Sequence, residues 1–570
     1  MKTRIITVLA AILILLPALP GQSENLDVQA LPTQVGTLPA AHGGTLELGL
    51  ESAYQLALAR NLNLQVGRYD LAIANTDVRG SGGIFDPFLR AWVNGDSSES
   101  PTATILEGAN VFESRNTRFG LSLDALLPTG AEVGLQATST RSENNSTFFF
   151  LNPQWNARLT ATLTQPLLNG FGTVVNRASI VVAENLRNQT SVGFEVSVIE
   201  TLLEVEQGYW ELVATRQAVM VTEQSLSLAQ RLLDETRQRV EVGTSAPIDM
   251  VQSEATVATR QQELIYARNA AGTSEDNLKG SLGFDLPQEW QLRIETTDSY
   301  NLDPVQLDLE QSIATALEKR PAILQRELEM ERLDLNVKVA RNRKMARLDL
   351  TGSFGLAGVS GDSVIEDPVT GEPIEIRQGW GDAGKQVVQA DFPNWTVGLL
   401  YSIPLGNHQA KELLARTRYQ RDRSEVELAA LKQEIIRQVR FSVRAVEDGA
   451  AAIDAAVAAR HLAERNLEAE QTKFDNGLST NFQVSEIQEA LATAQLSEIR
   501  ARVDYRKALA AYYSSTGTYL ESKSVAIVDP GAPDSVHDYW KDVEWMQFVD
   551  FNQASQQVTI PAEQAGAATE

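Results

Sequence analysis

Between Ser179 and Val242 the chain contains no proline, and its apolar residues recur at helical spacing. Leu202, Val205, Tyr209 and Leu212 step by three and four, followed by Val219, Leu226 and Leu233 at heptad intervals. Leu428, Leu431, Ile435, Val439, Val443, Val446, Ala450 and Ile453 set up the same pattern later in the chain. Sustained heptads predict helices packed in a coiled-coil manner. At 1.5 Å per residue, a helix of roughly 64 residues is about 95 Å long. No compact domain accommodates such an element, so it belongs to a rod or a tube.

The long helix is one part of a doubled pattern. Glu51-Ser-Ala-Tyr-Gln-Leu-Ala-Leu-Ala-Arg60 is echoed by Glu310-Gln-Ser-Ile-Ala-Thr-Ala-Leu-Glu-Lys319, and strand-like segments begin near Leu89 and Leu348. Each strand region closes on a similar phrase, Thr164-Gln165-Pro166-Leu167 and Ser402-Ile403-Pro404-Leu405. Each long helix ends at a glycine turn, Val242-Gly243-Thr244-Ser245 or Asn476-Gly477-Leu478-Ser479. Shorter helices return over about 247–282 and 481–514, and others precede the strands over about 61–84 and 321–344. The reading is a first repeat over 46–304, with strands about 88–166 and a long helical hairpin about 172–283. A second repeat covers 305–520, with strands about 347–404 and a hairpin about 406–517.

The strands alternate. Ala157, Leu159, Ala161 and Leu163 share one face, and Arg158, Thr160, Thr162 and Thr164 the other; Trp395, Val397, Leu399, Tyr401 and Ile403 form a second apolar face. About ten residues of period two suit a membrane-spanning strand, although a half-buried soluble strand carries the same signature. A further hairpin flanks Leu127-Pro128-Thr129-Gly130; it adds two barrel strands or stands outside them. The stretches 141–152 and 358–392 read as exposed loops, and 521–570 as an acidic, aromatic-bearing tail.

Residues 1–21 have the form of a secretory signal: Lys2 and Arg4 precede an apolar run from Ile5 to Leu16, with Pro17 and Pro20 behind it. Residues 22–45 form a linker. No later stretch approaches the length of about 20 apolar residues that a spanning helix needs, so β-strands must carry any membrane insertion. The chain of 570 residues holds 49 Lys and Arg against 74 Asp and Glu, a net charge of −25 that repels phosphate backbones and argues against nucleic-acid binding. Cysteine is absent, which removes disulfides, thiolate metal sites and cysteine nucleophiles. His42, His408, His461 and His537 are too scattered for a metal or histidine-based site. No cofactor, metal or catalytic constellation is expected, and the chain does not read as an enzyme.

The doubled layout, Gln165-Pro166-Leu167, the turn Gly243-Thr244-Ser245 with Asp249-Met250-Val251-Gln252, and Gly477-Leu478-Ser479-Thr480-Asn481-Phe482-Gln483-Val484 resemble the TolC family of outer-membrane efflux proteins over about residues 46–520. The resemblance implies an α+β membrane protein. In it a homotrimer forms a transmembrane β-barrel in outer-membrane lipid, continuous with a long α-helical coiled-coil barrel across the periplasm. It implies the outer-membrane channel of a tripartite efflux pump or type I secretion system, working with a periplasmic adaptor protein and an inner-membrane pump. Independently, four to six strands cannot close a barrel, which takes about eight, so several copies are required. Three copies give 12 strands, or 18 if the extra hairpin joins.

The glycines at 243 and 477 suit left-handed helix ends, with Ser245 and Ser479 or Thr480 capping the next helix. In relatives, acidic residues beyond the second turn line the narrowest ring, and the matching positions are Gln483 and Glu486, with Asp249 in the first repeat. Gln483 stands where an acid is common, leaving Glu486 as the single anionic candidate; Phe474 matches an aromatic involved in closure. Asp249 also fits a plain first-turn acid. Gly379-Trp-Gly-Asp-Ala-Gly384-Lys385-Gln386 imitates a phosphate loop but has Gln386 where Ser or Thr should stand, and it is read as lacking the strand before and the helix after. The competing reading is a secreted periplasmic coiled-coil structural or adaptor protein with no barrel; strands paired within each repeat would count against it.

Overall fold

A computed structural model describes residues 44–102, 109–299, 305–366 and 371–527. The expected signal, nearly all of the expected linker and most of the expected tail lie outside the described residues. In chain order the elements are β1 (Thr45–Leu48), α1 (Leu50–Arg60), α2 (Leu62–Gly82), β2 (Phe88–Pro101), β3 (Val111–Leu126), β4 (Glu132–Asn144), β5 (Gln154–Pro166), α3 (Ala178–Glu241), α4 (Pro247–Leu282) and β6 (Arg293–Thr296). They continue with α5 (Leu309–Lys319), α6 (Pro321–Arg343), β7 (Arg347–Gly361), β8 (Ser363–Glu366), β9 (Pro373–Ile376), α7 (Trp380–Gln389), β10 (Phe392–Ser402), α8 (His408–Asp475) and α9 (Asn481–Thr516). The long helices have 64 and 68 residues. Among the described residues no helix is long and apolar enough to cross a membrane.

The chain forms two compact units. One draws on residues up to Val66, on Ser197–Leu309 and on Val439–Ser515; the other on Gly67–Val196, Glu310–Gln438 and the chain from Thr516. Each therefore takes segments from both halves of the sequence.

In the first unit, Leu202, Val205, Tyr209 and Leu212 of α3 and Val439, Val443 and Val446 of α8 are buried, as their spacing predicts. Further along α3 the expectation needs correcting. The buried stripe there is Thr222, Ser225, Ala229, Leu232 and Thr236, while the heptad residues Val219, Leu226 and Leu233 are only half-buried. The buried stripe still steps by three and four but lies one residue from Leu226 and Leu233, so a neighbouring face of α3 packs within the unit at that end. The parallel pair β1–β6 is a feature the sequence reading did not include. The Tyr209 hydroxyl donates to Asp298 Oδ2 at 2.7 Å and accepts from the Asp298 N–H at 3.2 Å, beside this pair. Burial, then the Asp298 carboxylate, push this phenol well above its ordinary range. Arg60, 6% exposed, is held bidentately by Glu289 at 2.8 Å and by Asp285 at 2.8 Å.

The second unit contains a six-stranded antiparallel sheet in the order β10-β7-β5-β4-β3-β2. Its register sorts side chains by face. One row across all six strands is Trp395, Phe354, Ala161, Leu135, Leu123 and Leu89; the next row on the opposite face is Asn394, Gly355, Thr160, Gln136, Ser122 and Arg90. Apolar side chains of the first face stand in solvent in the single chain: Trp395 is 74% exposed and Leu123 44%. Where it is left uncovered, a face so apolar is built for a non-aqueous neighbour. At the strand ends, Val78, Phe85 and Ile180 form a small core with Leu126 against it.

Two segments expected to be loops are structured. β4 continues to Asn144, and 358–392 holds the end of β7, the hairpin β8–β9 and helix α7. The Asp382 carboxylate accepts the Gly379 N–H at 3.1 Å and starts α7, and Ala383 and Val387 bury themselves on the apolar sheet face against Trp155, Ala157, Leu159 and Leu356. Gln386 pairs with both the N–H and the C=O of Val359 (2.9 and 3.0 Å), a strand residue beyond the end of β10. The phosphate-loop lookalike thus does have a strand before it and a helix, but Gly384 and Lys385 lie inside that helix, where backbone N–H groups are already engaged.

Candidate functional site

Apart from the strand-end prolines, the residues singled out by sequence gather at or near the two turns of the helical hairpins, both in the first unit. Their backbones share one geometry. Gly243 (φ +76°) and Gly477 (φ +72°) are left-handed. The Thr244 N–H donates to Arg239 O at 2.8 Å and that of Gly243 to Val240 O at 3.1 Å; Leu478 donates to Lys473 O at 2.8 Å and Gly477 to Phe474 O at 3.0 Å. These are paired six-to-one and five-to-two bonds that satisfy the last carbonyls of each long helix. Nothing lies within 4 Å of where a Cβ would stand at either glycine, so conformation alone selects it.

Gln483 and Asp249 are helix caps. Thr480 Oγ1 accepts the Gln483 N–H at 3.3 Å, and Gln483 Oε1 accepts the Thr480 N–H at 3.3 Å, a reciprocal capping box. At the first turn Asp249 Oδ2 accepts the Ala246 N–H at 3.1 Å, but Ala246 has no side-chain acceptor to return the bond. Each side chain therefore has a local duty at a helix start, with Gln483 still exposed and Asp249 half-buried. The signal for Gln483 was present in the sequence, since Thr-x-x-Gln before an apolar run is a helix-start signature.

Phe474 is 5% exposed and packs with Leu232 and Val484. The Arg239 guanidinium stands 3.9 Å over its ring and donates to the Phe474 carbonyl at 3.2 Å. The aromatic thus pins one hairpin to the other. Arg239 itself went unnoticed in the sequence, as did Glu470, which is 7% exposed, accepts from the Ser479 hydroxyl and pairs with Lys473 at 2.9 Å. The Ser479 hydrogen bond, then Lys473, hold the Glu470 carboxyl below the usual carboxylate range. Asn481 adds a second tie between the hairpins, donating to Ser253 Oγ.

Glu486 is exposed and, among the described residues, has no ion pair. It lines a cavity of the first unit with Phe482, Ser485 and Glu489 of α9 and Thr256 and Arg260 of α4. Glu489 is engaged with Arg260 at 3.1 Å, leaving Glu486 as the unneutralised carboxylate there. The strand-end prolines lie in the other unit: Pro166 is the last residue of β5, opposite Asp349, and Pro404 follows β10 by two residues. Among the described residues no histidine or acidic cluster could hold a metal ion.

Long helical hairpins in one unit and, in the other, a sheet with one apolar and one polar face are the elements of a membrane channel. The model of the outer membrane efflux protein family matches residues 125–284 and 312–518, and the chain belongs to that family. It is an outer-membrane efflux channel of the kind that extends into the periplasm. The outer membrane protein TolC of Escherichia coli (strain K12) is 22% identical over 355 residues, covering 61% of this chain and 68% of TolC. The fold is shared with the CmeC outer membrane channel of Campylobacter jejuni (TM-score 0.60, 14% identity, 88% of this chain and 90% of that one). It is shared too with the open state of the Neisseria gonorrhoeae MtrE outer membrane channel (TM-score 0.55, 16% identity, 83% and 89%). These relatives are channels, not enzymes.

Proposed function

We propose that three copies of this chain close a barrel in the outer membrane and continue it as a helical tunnel. The assembly serves as the passive exit duct of a tripartite efflux pump or type I secretion system. A periplasmic adaptor and an inner-membrane pump supply energy and coupling, and residues 1–21 direct export. The observation that carries this reading is the unbroken apolar row Trp395–Phe354–Ala161–Leu135–Leu123–Leu89 backed by a polar row. A soluble coiled-coil adaptor has no use for such a sheet. The sheet is open, with β10 and β2 at its edges, and open edges cannot lie in lipid. Pairing β10 of one copy with β2 of the next removes every edge, and the alternation of strands makes that junction antiparallel. The two halves, 46–304 and 305–520, act as two versions of one helix–strand–hairpin unit, so a trimer presents six hairpins around the tunnel.

In this reading Glu486 from three copies forms an anionic ring near the hairpin turns that favours cations. Its exposure and lack of an ion pair support the role. Fractionation tests the whole: the protein should sediment with outer membrane, require detergent, and give the native mass of three chains. Recovery as a detergent-free soluble oligomer would favour the adaptor reading. Glu486→Gln should lower the cation-to-anion permeability ratio; an unchanged ratio removes the ring.

A further inference from the structure

We infer that the hairpin β3–β4 is part of the barrel wall, so that the outer-membrane segment is an 18-stranded barrel, three copies of six strands. This rests on the trimeric barrel proposed above. At equal tilt the diameter grows about linearly with strand number. With strands about 4.8 Å apart, 18 strands give a backbone diameter of about 36 Å against about 24 Å for 12. The mouth then passes large hydrated cargo that a narrower barrel of the same tilt would reject.

Four observations carry the inference. First, β3 pairs with β2 from Phe88↔Asp124 to Pro101↔Val111, and β4 pairs with β5 from Glu132↔Thr164 to Ser142↔Gln154. The hairpin therefore separates β2 from β5 along their lengths; one lying outside the wall or plugging the lumen would leave those two strands paired. Second, both faces of the sheet keep their character through the insert: Leu121 and Leu123 continue the apolar face, and Ser122 and Gln136 the polar one. Third, β3 and β4 have 16 and 13 residues against 13 in β5, and about 9–11 suffice to span.

Fourth, the turn of the hairpin is built into the base of the sheet. The Gly172 N–H donates to Thr129 O at 3.1 Å. A Cβ on Gly130 (φ +89°) would stand 2.3 Å from Gly170 O, and Leu126 packs against Phe85 and Ile180. Adding two strands also preserves the antiparallel junction between β10 and the next copy's β2, which an odd insertion would break.

The chain has no cysteine, so single-cysteine variants report one position each. Leu123→Cys on β3 and Gln136→Cys on β4 place thiols at exposed positions of the apolar and polar faces, and Leu163→Cys and Thr162→Cys on β5 serve as references. In proteoliposomes, Leu123→Cys should carry a spin label that sees oxygen and excludes a water-soluble nickel chelate, as Leu163→Cys should. Gln136→Cys should react with a charged methanethiosulfonate from the aqueous side, as Thr162→Cys should. A water-accessible Leu123→Cys beside a lipid-facing Leu163→Cys would overturn the 18-stranded wall and leave the barrel standing. Water access at both Leu123→Cys and Leu163→Cys would overturn the barrel reading itself.

Discussion

The two hairpin turns share a backbone but not a lock. At Gly477 the next helix is fastened by the Thr480–Gln483 box, Ser479 is tied to buried Glu470, and Phe474 sits under Arg239. At Gly243 the box is half-made because residue 246 is alanine, the place corresponding to Phe474 holds half-buried Val240, and Glu470 is matched by the neutral Thr236. Repeated geometry thus carries unequal restraint. Glycine alone specifies the reversal, while neighbouring side chains decide how firmly each reversal is held.

Four comparisons test that contrast. Phe474→Ala should cost about 3–4 kcal/mol, read as thermal unfolding of the detergent-solubilised protein, whereas exposed Phe482→Ala next to the same turn should cost little. Equal losses would mean that the Arg239–Phe474 pin does not set the difference. Gly243→Ala and Gly477→Ala should each cost about 1–2 kcal/mol, and by similar amounts, because the penalty is the left-handed backbone they share. A large inequality would show that more than φ selects glycine at one of them.

Thr480→Ala should loosen the second turn by about 1 kcal/mol, and Ala246→Ser should tighten the first by a comparable amount, each seen as amide exchange at the start of the following helix. No slowing at 247–250 in Ala246→Ser would refute the half-made box. The smallest effect is acid sensitivity. Because the folded Glu470 carboxyl is held below its ordinary value of about 4.3, its contribution is present above that pH and lost as pH falls through the lowered value. As acid is added, amide protection at the second turn should therefore fall before that at the first, where Thr236 does not titrate, and Glu470→Gln should abolish the difference.

What could be read from the sequence follows the range of the forces. The glycine turns and the helix starting at Pro247 depend on a few consecutive residues, and their placement is legible to within a residue or two. The apolar alternation of β5 and β10 was equally plain. The far end of β2, Asn94–Pro101, was not, because it is polar on both faces and is held as strand only by pairing with β3. Helix α7 was hidden for a related reason: Gly381 and Gly384 suggest a loop, and only the sheet face beneath Ala383 and Val387 makes a helix favourable. Of the site, Glu486 was placed on the right helix but its lack of a partner is a property of the fold. The capping bonds of Gln483 and Asp249 follow from their spacing to Thr480 and Ala246 and are local enough to be legible in the sequence.

Current recordings from the detergent-extracted protein in a planar bilayer test the central claim most directly. A conducting trimer predicts discrete, cation-preferring steps, larger or more frequent in Phe474→Ala, where the pin between hairpins is gone. A bilayer that stays silent with inserted protein of both the parent chain and Phe474→Ala would contradict the proposal that this chain forms a conducting channel.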